Sequence, residues 1–143
     1  MNEMLKLENQ LCFPLYACAK EVVRRYTPLL EPLGLTYTQY IAMMVMWEHK
    51  SISVRDMGKL LFLDSGTLTP MLKKMEKAGW ITRKRSERDE RMVMLSITER
   101  GEQLQEKAVE VPSKMAGCVT LESDEAMQLY TLLHKMMKTF QSR

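Results

Sequence analysis

The chain has 143 residues and a net charge of +3, and its 45% apolar and 27% charged side chains are typical of one globular domain rather than of a disordered chain. It contains no run of about 18 apolar residues that could cross a membrane, and its N-terminus lacks the apolar core of a secretory signal, so we expect a cytoplasmic protein with no membrane partner. The three cysteines, Cys12, Cys18 and Cys118, are odd in number and lack C-x-x-C spacing, which argues against a disulfide scaffold or a zinc site, and we expect no metal or cofactor.

The first helix is predicted from about Leu7 to Leu30, where apolar residues recur at helical spacing. A proline early in this stretch indicates that the helix either begins within Cys12–Pro14 or bends there. Pro28, Pro32 and Gly34 then break the helical pattern and predict a turn.

The next three helices are predicted from side chains that can cap a helix N-terminus. A serine, threonine or aspartate precedes each apolar helical pattern, and in the first case a glutamine follows three residues later, as in a capping box. The predicted helices run from Tyr37 to about His49 after Thr36-x-x-Gln39, through Leu61 after Ser53-x-x-Asp56, and from Asp64 or Ser65 to Gly79.

After Trp80 the hydrophobic period changes, and two short runs predict the strands of a hairpin. The runs are Ile81–Arg85 and Met92–Ile97, joined by the charged tip Ser86–Arg91. Two more helices are predicted beyond the hairpin. Thr98 would cap a fifth helix that runs to Val111 and is stopped by Pro112, and Ser123 would cap a last helix with an apolar stripe at Met127, Tyr130, Leu133 and Met137.

Basic side chains are concentrated in the middle of the chain. Residues 65–91 contain eight basic and four acidic side chains, although the net charge of the whole chain is only +3. The positive excess therefore lies within this one segment, which favours a polyanionic partner. An ordinary solvated surface is the alternative that charge alone leaves open.

Two short helices joined by a tight turn and followed by a charged hairpin are typical of a winged helix-turn-helix. The predicted fold class is mainly α with a small β-hairpin wing (α+β), in which residues 35–111 bind double-stranded DNA. The fourth helix would enter the major groove, the hairpin would contact phosphates, and Asp89 is expected to brace the hairpin turn by pairing with Arg91. The predicted DNA-contacting residues are Ser65, Thr67, Thr69, Pro70, Lys73, Arg83, Arg85, Arg88 and Arg91.

The outer segments, residues 1–34 and 112–143, are predicted to be helical with long apolar stripes that a winged module does not need. We expect them to pack against a second copy across a two-fold axis as dimerisation helices. A homodimer also suits a pseudo-palindromic operator, because two recognition helices about 34 Å apart meet successive major grooves.

The chain resembles the MarR family of repressors, and within it the organic hydroperoxide repressors called OhrR. The resemblance covers essentially the whole chain. The run of Asp89 to Thr98, DER-x-x-x-L-S-I-T, is similar to the family as a whole. The stretches that resemble the OhrR group are LENQLCF at 7–13, WEH at 47–49, LDSGTLTPMLK at 63–73 and TRKRSE at 82–87.

This resemblance implies a redox sensor. It identifies Cys12 with the reactive cysteine of the group, Tyr26 and Tyr37 with two tyrosines of the partner subunit whose hydroxyls reach that cysteine, and Tyr16 with a further aromatic residue near the site. It also implies that the reduced protein represses a gene for a thiol-dependent organic hydroperoxide reductase and that oxidation by an organic hydroperoxide releases the DNA. The chemistry is consistent with these roles, because a thiolate attacks a peroxide bond and both a helix N-terminus and phenol hydroxyls favour the anion.

Two other classes of function remain open at this point. One is a MarR-type repressor released by a small aromatic ligand in the dimer cleft, with Cys12 a bystander. The other is a thiol peroxidase, which the lack of a catalytic acid and base and the basic segment both disfavour.

The fate of oxidised Cys12 also remains open. Helix rise puts Cys18 about 9 Å from Cys12, beyond the roughly 7 Å limit of a disulfide, so Cys18 is expected to be structural. Cys118 is a candidate resolving cysteine across the dimer. The alternatives are a mixed disulfide with a small thiol and over-oxidation.

Overall fold

The computed structural model of the protein describes residues 1–141, and within them the chain forms helices around one small antiparallel sheet. Short 3-10 helices occupy Glu3–Leu5, Leu7–Asn9 and Glu31–Leu33. None of the helices in residues 1–141 combines the length and apolarity needed to cross a bilayer. In chain order the elements are α1 (Cys12–Leu30), α2 (Tyr37–His49), β1 (Ser51–Ser53), α3 (Val54–Leu61), α4 (Ser65–Lys77), β2 (Ile81–Arg85), β3 (Val93–Ile97), α5 (Glu99–Ala108), α6 (Val111–Ala116) and α7 (Ser123–Gln141).

The sheet has the strand order β1-β3-β2, with both pairings antiparallel. The hairpin of β2 and β3 confirms the predicted wing. The third strand, β1, is an addition, because its three residues are too short to show a period-2 pattern. Ile52 of β1 stands opposite Leu95 of β3, and both are buried. The short strand thus ties the end of α2 to the wing, and the winged helix-turn-helix fold is confirmed.

Three of the predicted helix caps are present. Thr36 and Gln39 form a complete capping box at α2. The hydroxyl of Ser53 accepts a hydrogen bond of 3.0 Å from the Asp56 backbone N–H at α3, and the hydroxyl of Thr98 likewise caps α5. These bonds join residues at most three positions apart and satisfy backbone donors that a helix leaves unpaired, so the local sequence is enough to predict them.

α1 begins at Cys12, one of the two starts that the early proline indicates, and Leu7–Asn9 is a 3-10 helix outside it. Three boundary predictions are wrong, and each involves a helix terminus. Pro28 lies inside α1, where it ends no helix. Pro112 lies in the first turn of α6, where its missing backbone N–H would have no partner in the helix, so it begins a helix instead of stopping one. The preceding helix, α5, ends earlier than predicted, at Ala108. Ser123 is the first residue of α7 rather than its cap, and Glu125 instead accepts a hydrogen bond from the Glu122 backbone N–H.

The hydrophobic core lies entirely within the central part of the chain. Every buried apolar residue of the described chain falls between Leu30 and Met115. α1 has a single buried residue at its C-terminal end, and α7 has none. The winged unit therefore forms a core of its own, whereas the outer helices leave apolar side chains uncovered.

Candidate functional site

The helix-turn-helix is closed by a tight turn between α3 and α4. Phe62 adopts the left-handed conformation after α3, and the Leu63 backbone N–H donates to the Gly58 carbonyl at 3.0 Å. A Cβ on Gly58 would lie 2.8 Å from the Leu63 carbonyl oxygen and 3.0 Å from a methyl of Leu68. Only a glycine allows the two helices to approach this closely, so Gly58 determines how α4 is positioned relative to α3.

The recognition helix α4 has one buried and one exposed side. Leu68, Met71, Leu72 and Met75 are buried against the core. The predicted DNA-contacting residues of this helix are exposed except Thr69, which is half-buried. The exposed ones are Ser65, Thr67, Pro70 and Lys73.

Pro70 lies in the N-terminal half of α4, and its ring faces outward with the exposed residues. The donor that it lacks would have bonded the carbonyl of Gly66, an exposed residue whose carbonyl can be hydrated. Near the same terminus, a hydrogen bond from the Thr67 hydroxyl holds the pKa of the Asp64 carboxyl below its usual value. The first turn of the helix therefore presents a proline, small hydroxyl residues and one fixed carboxylate to a partner.

The tip of the wing is braced from within. The Ser86 backbone N–H donates to the Met92 carbonyl at 2.7 Å, which closes the hairpin loop. The Asp89 carboxylate accepts a hydrogen bond of 3.0 Å from the Arg91 backbone N–H, and the Arg91 side chain lies 3.8 Å from the same oxygen. The Arg91 side chain is 96% exposed, so this ion pair is weak and leaves the guanidinium free to contact a phosphate.

The arginines predicted to contact DNA differ in their exposure and in the residues that hold their side chains. Arg83 is half-buried and forms an ion pair of 3.3 Å with Glu76 of α4, so it joins the wing to the recognition helix. Arg85 donates a hydrogen bond of 3.0 Å to the Glu90 carbonyl within the exposed tip. Arg88 is exposed, and its backbone N–H is held by the Ser86 hydroxyl.

A second basic strip was missed by the sequence analysis. Arg55 and Lys59 lie one turn apart on α3, are exposed, and line the same cleft as Arg91 of the wing. Their charges are too sparse in the sequence to stand out from an ordinary helix surface. Only the folded arrangement brings them opposite the wing and extends the positive surface beyond residues 65–91.

Cys12 occupies the first position of α1, and its side chain is exposed. The two preceding amides explain why the helix starts there. Asn9 donates from Nδ2 to the Glu3 carbonyl at 2.7 Å, and Gln10 donates from Nε2 to the Lys6 carbonyl at 2.7 Å. These bonds hold the 3-10 segment and leave Cys12 at the N-terminus of α1.

Three tyrosines form an aromatic cluster between the end of α1 and the start of α2. The ring centroids of Tyr26 and Tyr37 are 4.8 Å apart, and Tyr40 lies 5.7 Å from Tyr26 and 6.4 Å from Tyr37. Burial raises the pKa of all three phenols, and the neighbouring phenols raise that of Tyr40 further. The three hydroxyls therefore remain protonated donors. Sequence analysis missed Tyr40, because a buried aromatic residue on a helix face is indistinguishable from ordinary core.

Cys12 and this cluster are far apart within one chain. Cys12 and Tyr26 are fourteen residues apart on the same helix, which corresponds to about 21 Å along its axis. Tyr16, one turn beyond Cys12, is 63% exposed. A single chain therefore brings Cys12 close to neither Tyr26 nor Tyr37.

The other two cysteines are also exposed. Cys18 follows Cys12 by six residues on α1, and Cys118 lies in the loop between α6 and α7, with its thiol 3.7 Å from the Lys114 carbonyl. Across residues 1–141, no group of three or more His, Cys, Asp or Glu side chains is placed to hold a metal ion.

The outer helices expose a continuous set of apolar side chains. Leu11, near the start of α1, is 84% exposed, and Leu132 of α7 is 60% exposed. Single exposed apolar residues are normal on protein surfaces, but here they extend along two whole helices and form a large apolar surface. The other large exposed residues are Phe13, Leu15, Val22 and Val23 on α1 and Met127, Leu129, Tyr130, Met136, Met137 and Phe140 on α7.

The chain is similar to known transcription regulators along most of its length. A family model described as "Transcriptional regulator SarA/Rot" matches residues 24–108. The chain is 50% identical over 139 residues to the organic hydroperoxide resistance transcriptional regulator of Bacillus subtilis (strain 168). That alignment covers 97% of this chain and 95% of the relative, so it includes the outer helices as well as the wing.

Solved structures of AbfR of Staphylococcus epidermidis share the architecture. Reduced AbfR bound to DNA matches with a TM-score of 0.80 and 34% identity, over 97% of this chain and 98% of AbfR. AbfR in its disulfide form matches with a TM-score of 0.69 and 33% identity, over 96% of this chain and 94% of AbfR. The likeness to AbfR therefore extends over the whole chain in both states.

Proposed function

We propose that this chain is a DNA-binding repressor and that oxidation of Cys12 releases it from its operator. The chain belongs to the SarA/Rot and MarR-type transcriptional regulators, in the group of the organic hydroperoxide resistance regulator. Membership in this family makes it a regulator and not an enzyme, which removes the thiol peroxidase alternative. AbfR has been solved both reduced on DNA and in a disulfide form, which supports a thiol as the sensing group here.

The working form of the protein is a homodimer joined by the outer helices. α7 has no buried residue, and α1 has only Leu30 buried. Isolated helices of this kind gain little stability in water without a packing partner. A second copy supplies that partner and sets two recognition helices on one face of the DNA, as a pseudo-palindromic operator requires.

The main support for a sensing site shared by two subunits is that Cys12 and the tyrosine cluster lie far apart within one chain. About 21 Å of helix lies between Cys12 and Tyr26, so the site is incomplete without a second copy. None of the hydroxyls of Tyr26, Tyr37 and Tyr40 has a hydrogen-bond acceptor within residues 1–141, although burial keeps them protonated. In the dimer we place Cys12 of one subunit against Tyr26 and Tyr37 of the other, with Tyr16 beside the thiol.

The sensing reaction follows from a thiolate at that position. The Cys12 sulfur attacks one oxygen of the hydroperoxide, the O–O bond breaks, and the leaving alkoxide takes a proton to become an alcohol. Sulfur is oxidised to a sulfenic acid and the peroxide is reduced. Exposed apolar residues beside the thiol, Leu11, Phe13 and Leu15, favour organic hydroperoxides over hydrogen peroxide.

The sulfenic acid is then resolved by a second thiol. A small thiol, or Cys118 of the other subunit, attacks the sulfur of Cys12, and a disulfide forms as water leaves. Cys118 is exposed in the loop between α6 and α7, a suitable position for such an attack. Either product replaces the small thiolate by a larger group at the dimer interface.

The connection from sensor to DNA runs along α2. This helix begins with Tyr37 in the aromatic cluster and ends where Trp47 donates from Nε1 to the Gly101 carbonyl of α5 at 2.9 Å. Lys50, just after α2, forms an ion pair of 2.8 Å with Glu102. A shift of the tyrosines therefore moves the junction between the wing and α5. This changes the distance between the two recognition helices of the dimer, and the DNA is released.

The test uses a duplex selected by the reduced protein from a random pool. Cumene hydroperoxide should abolish binding by the wild-type protein and by Cys18→Ser, the matched control on the same helix, and leave Cys12→Ser bound. Intact-mass measurement should place the oxidation on Cys12. Release of Cys12→Ser at the wild-type rate would contradict the proposal. Release by phenolic ligands with no response to peroxide would favour a ligand-controlled repressor instead.

A further inference from the structure

Tyr40 contacts both of the tyrosines that the proposed sensor uses. It lies one helical turn after Tyr37 on α2 and is 2% exposed, whereas Tyr26 and Tyr37 are half-buried. Its ring is tilted by 41° against Tyr26 and by 53° against Tyr37, at centroid distances of 5.7 and 6.4 Å. Tilted rings at these distances attract each other beyond the effect of burial.

The direction of the Tyr26 and Tyr37 hydroxyls depends on this packing. The two rings come from different helices, and within residues 1–141 neither hydroxyl is anchored by a hydrogen bond. A phenol without such an anchor keeps its orientation only through the rings around it. Tyr40 is the fully buried member of the cluster, so it is the fixed support for the other two.

We propose that Tyr40 is a positioning residue of the redox site, whose ring holds Tyr26 and Tyr37 so that both hydroxyls reach Cys12 of the partner subunit. The inference rests on the proposed function. Hydrogen bonds from two well-placed donors stabilise the thiolate that attacks the peroxide. Loss of the supporting ring lets the donors turn away, so the reaction with peroxide slows near neutral pH.

The test compares Tyr40→Leu with Tyr40→Phe. The rate of Cys12 oxidation by cumene hydroperoxide is measured in the intact protein from pH 5 to 9, because the rate follows the thiolate fraction. Tyr40→Leu should move the midpoint of this profile upward by about one pH unit and slow the reaction roughly tenfold below it. Tyr40→Phe keeps the ring and should restore the wild-type profile. If Tyr40→Leu fails to fold, Tyr40→Met serves as the second aliphatic variant.

Three outcomes overturn the inference. One is an unchanged profile in Tyr40→Leu. Another is a Tyr40→Phe profile shifted as far as that of Tyr40→Leu, which would assign the effect to the hydroxyl. The third is an equal shift in Met43→Leu, a control for general loosening, since Met43 is fully buried on the next turn of α2 and lies outside the cluster.

The failure of this inference can be separated from that of the proposed function. If Tyr26→Phe and Tyr37→Phe shift the profile and Tyr40→Leu does not, only the positioning role is wrong. If Cys12→Ser still releases DNA under peroxide, the proposed function itself is wrong.

Discussion

The winged unit and the outer helices differ in how completely each is folded by its own contacts. The winged unit contains nearly all of the core, its helix caps and a braced hairpin. α1 and α7 are each 19 residues long, yet together they have one buried residue, Leu30. The difference teaches that the winged unit has its core within one chain, whereas the outer helices leave an apolar surface for the proposed dimer to cover.

The largest effect is expected where the outer helices are disrupted. Leu129→Glu places a charge on the apolar side of α7, which should prevent dimerisation and weaken operator binding roughly 100-fold or more, because two linked half-site contacts become one. Sedimentation velocity and DNA titration measure the two effects.

Thr131→Glu is the control for Leu129→Glu, since it adds the same charge two residues along, on the opposite side of the helix. A Leu129→Glu protein that stays dimeric would show that α7 is not an interface.

The winged unit should instead respond to loss of its core. Met75→Ala removes a fully buried side chain from α4 and should lower the free energy of unfolding by about 2–5 kcal/mol. Gln105→Ala, at an exposed position of α5 in the same unit, should change it by less than about 0.5 kcal/mol. Urea unfolding measures both, and equal losses would show that the stability of the winged unit does not depend on its buried core.

A smaller effect is expected at the wing. Arg85→Ala and Arg91→Ala should each weaken DNA binding and reduce the slope of log affinity against log salt by about one, because each removes a phosphate contact. Arg24→Ala on α1, whose partner is Glu21, is the control and should leave the slope unchanged. Wild-type slopes in both wing variants would show that the wing does not contact the DNA backbone.

The smallest effect concerns the tyrosines and alkaline pH. Burial raises the pKa of Tyr26 and Tyr37 above the usual value of about 10, so the folded state retains protons that the unfolded state has lost. The stabilising effect is complete below about pH 10 and is lost as the pH rises through the folded pKa values. Tyr37→Phe should flatten this loss in unfolding experiments between pH 9 and 11. An unchanged pH dependence would show that Tyr37 is no more buried than in the unfolded chain.

Much of the fold follows from local sequence, and most errors lie at helix ends that involve proline. Thr36 and Gln39 predict α2 because both capping bonds are made within four residues. Pro28 and Pro112 were assigned as breaks, yet each lies within a helix. Pro112 lies in the first turn of a helix, where the missing N–H would have no helical partner, whereas Pro28 costs α1 one backbone hydrogen bond near its C-terminal end and does not break it.

The sequence by itself determined the wing and the recognition helix, because helix caps and hydrophobic periodicity are local. The resemblance at Leu7–Phe13 predicts Cys12 as the reactive cysteine. Only the tertiary structure decided that β1 joins the sheet, that Arg55 and Lys59 line one cleft with Arg91 of the wing, and that the Tyr40 ring packs against Tyr26 and Tyr37. These features join residues from different elements, and their contacts exist only after the helices pack. The same reason explains why Cys12 and Tyr26, on one straight helix, cannot meet within one chain.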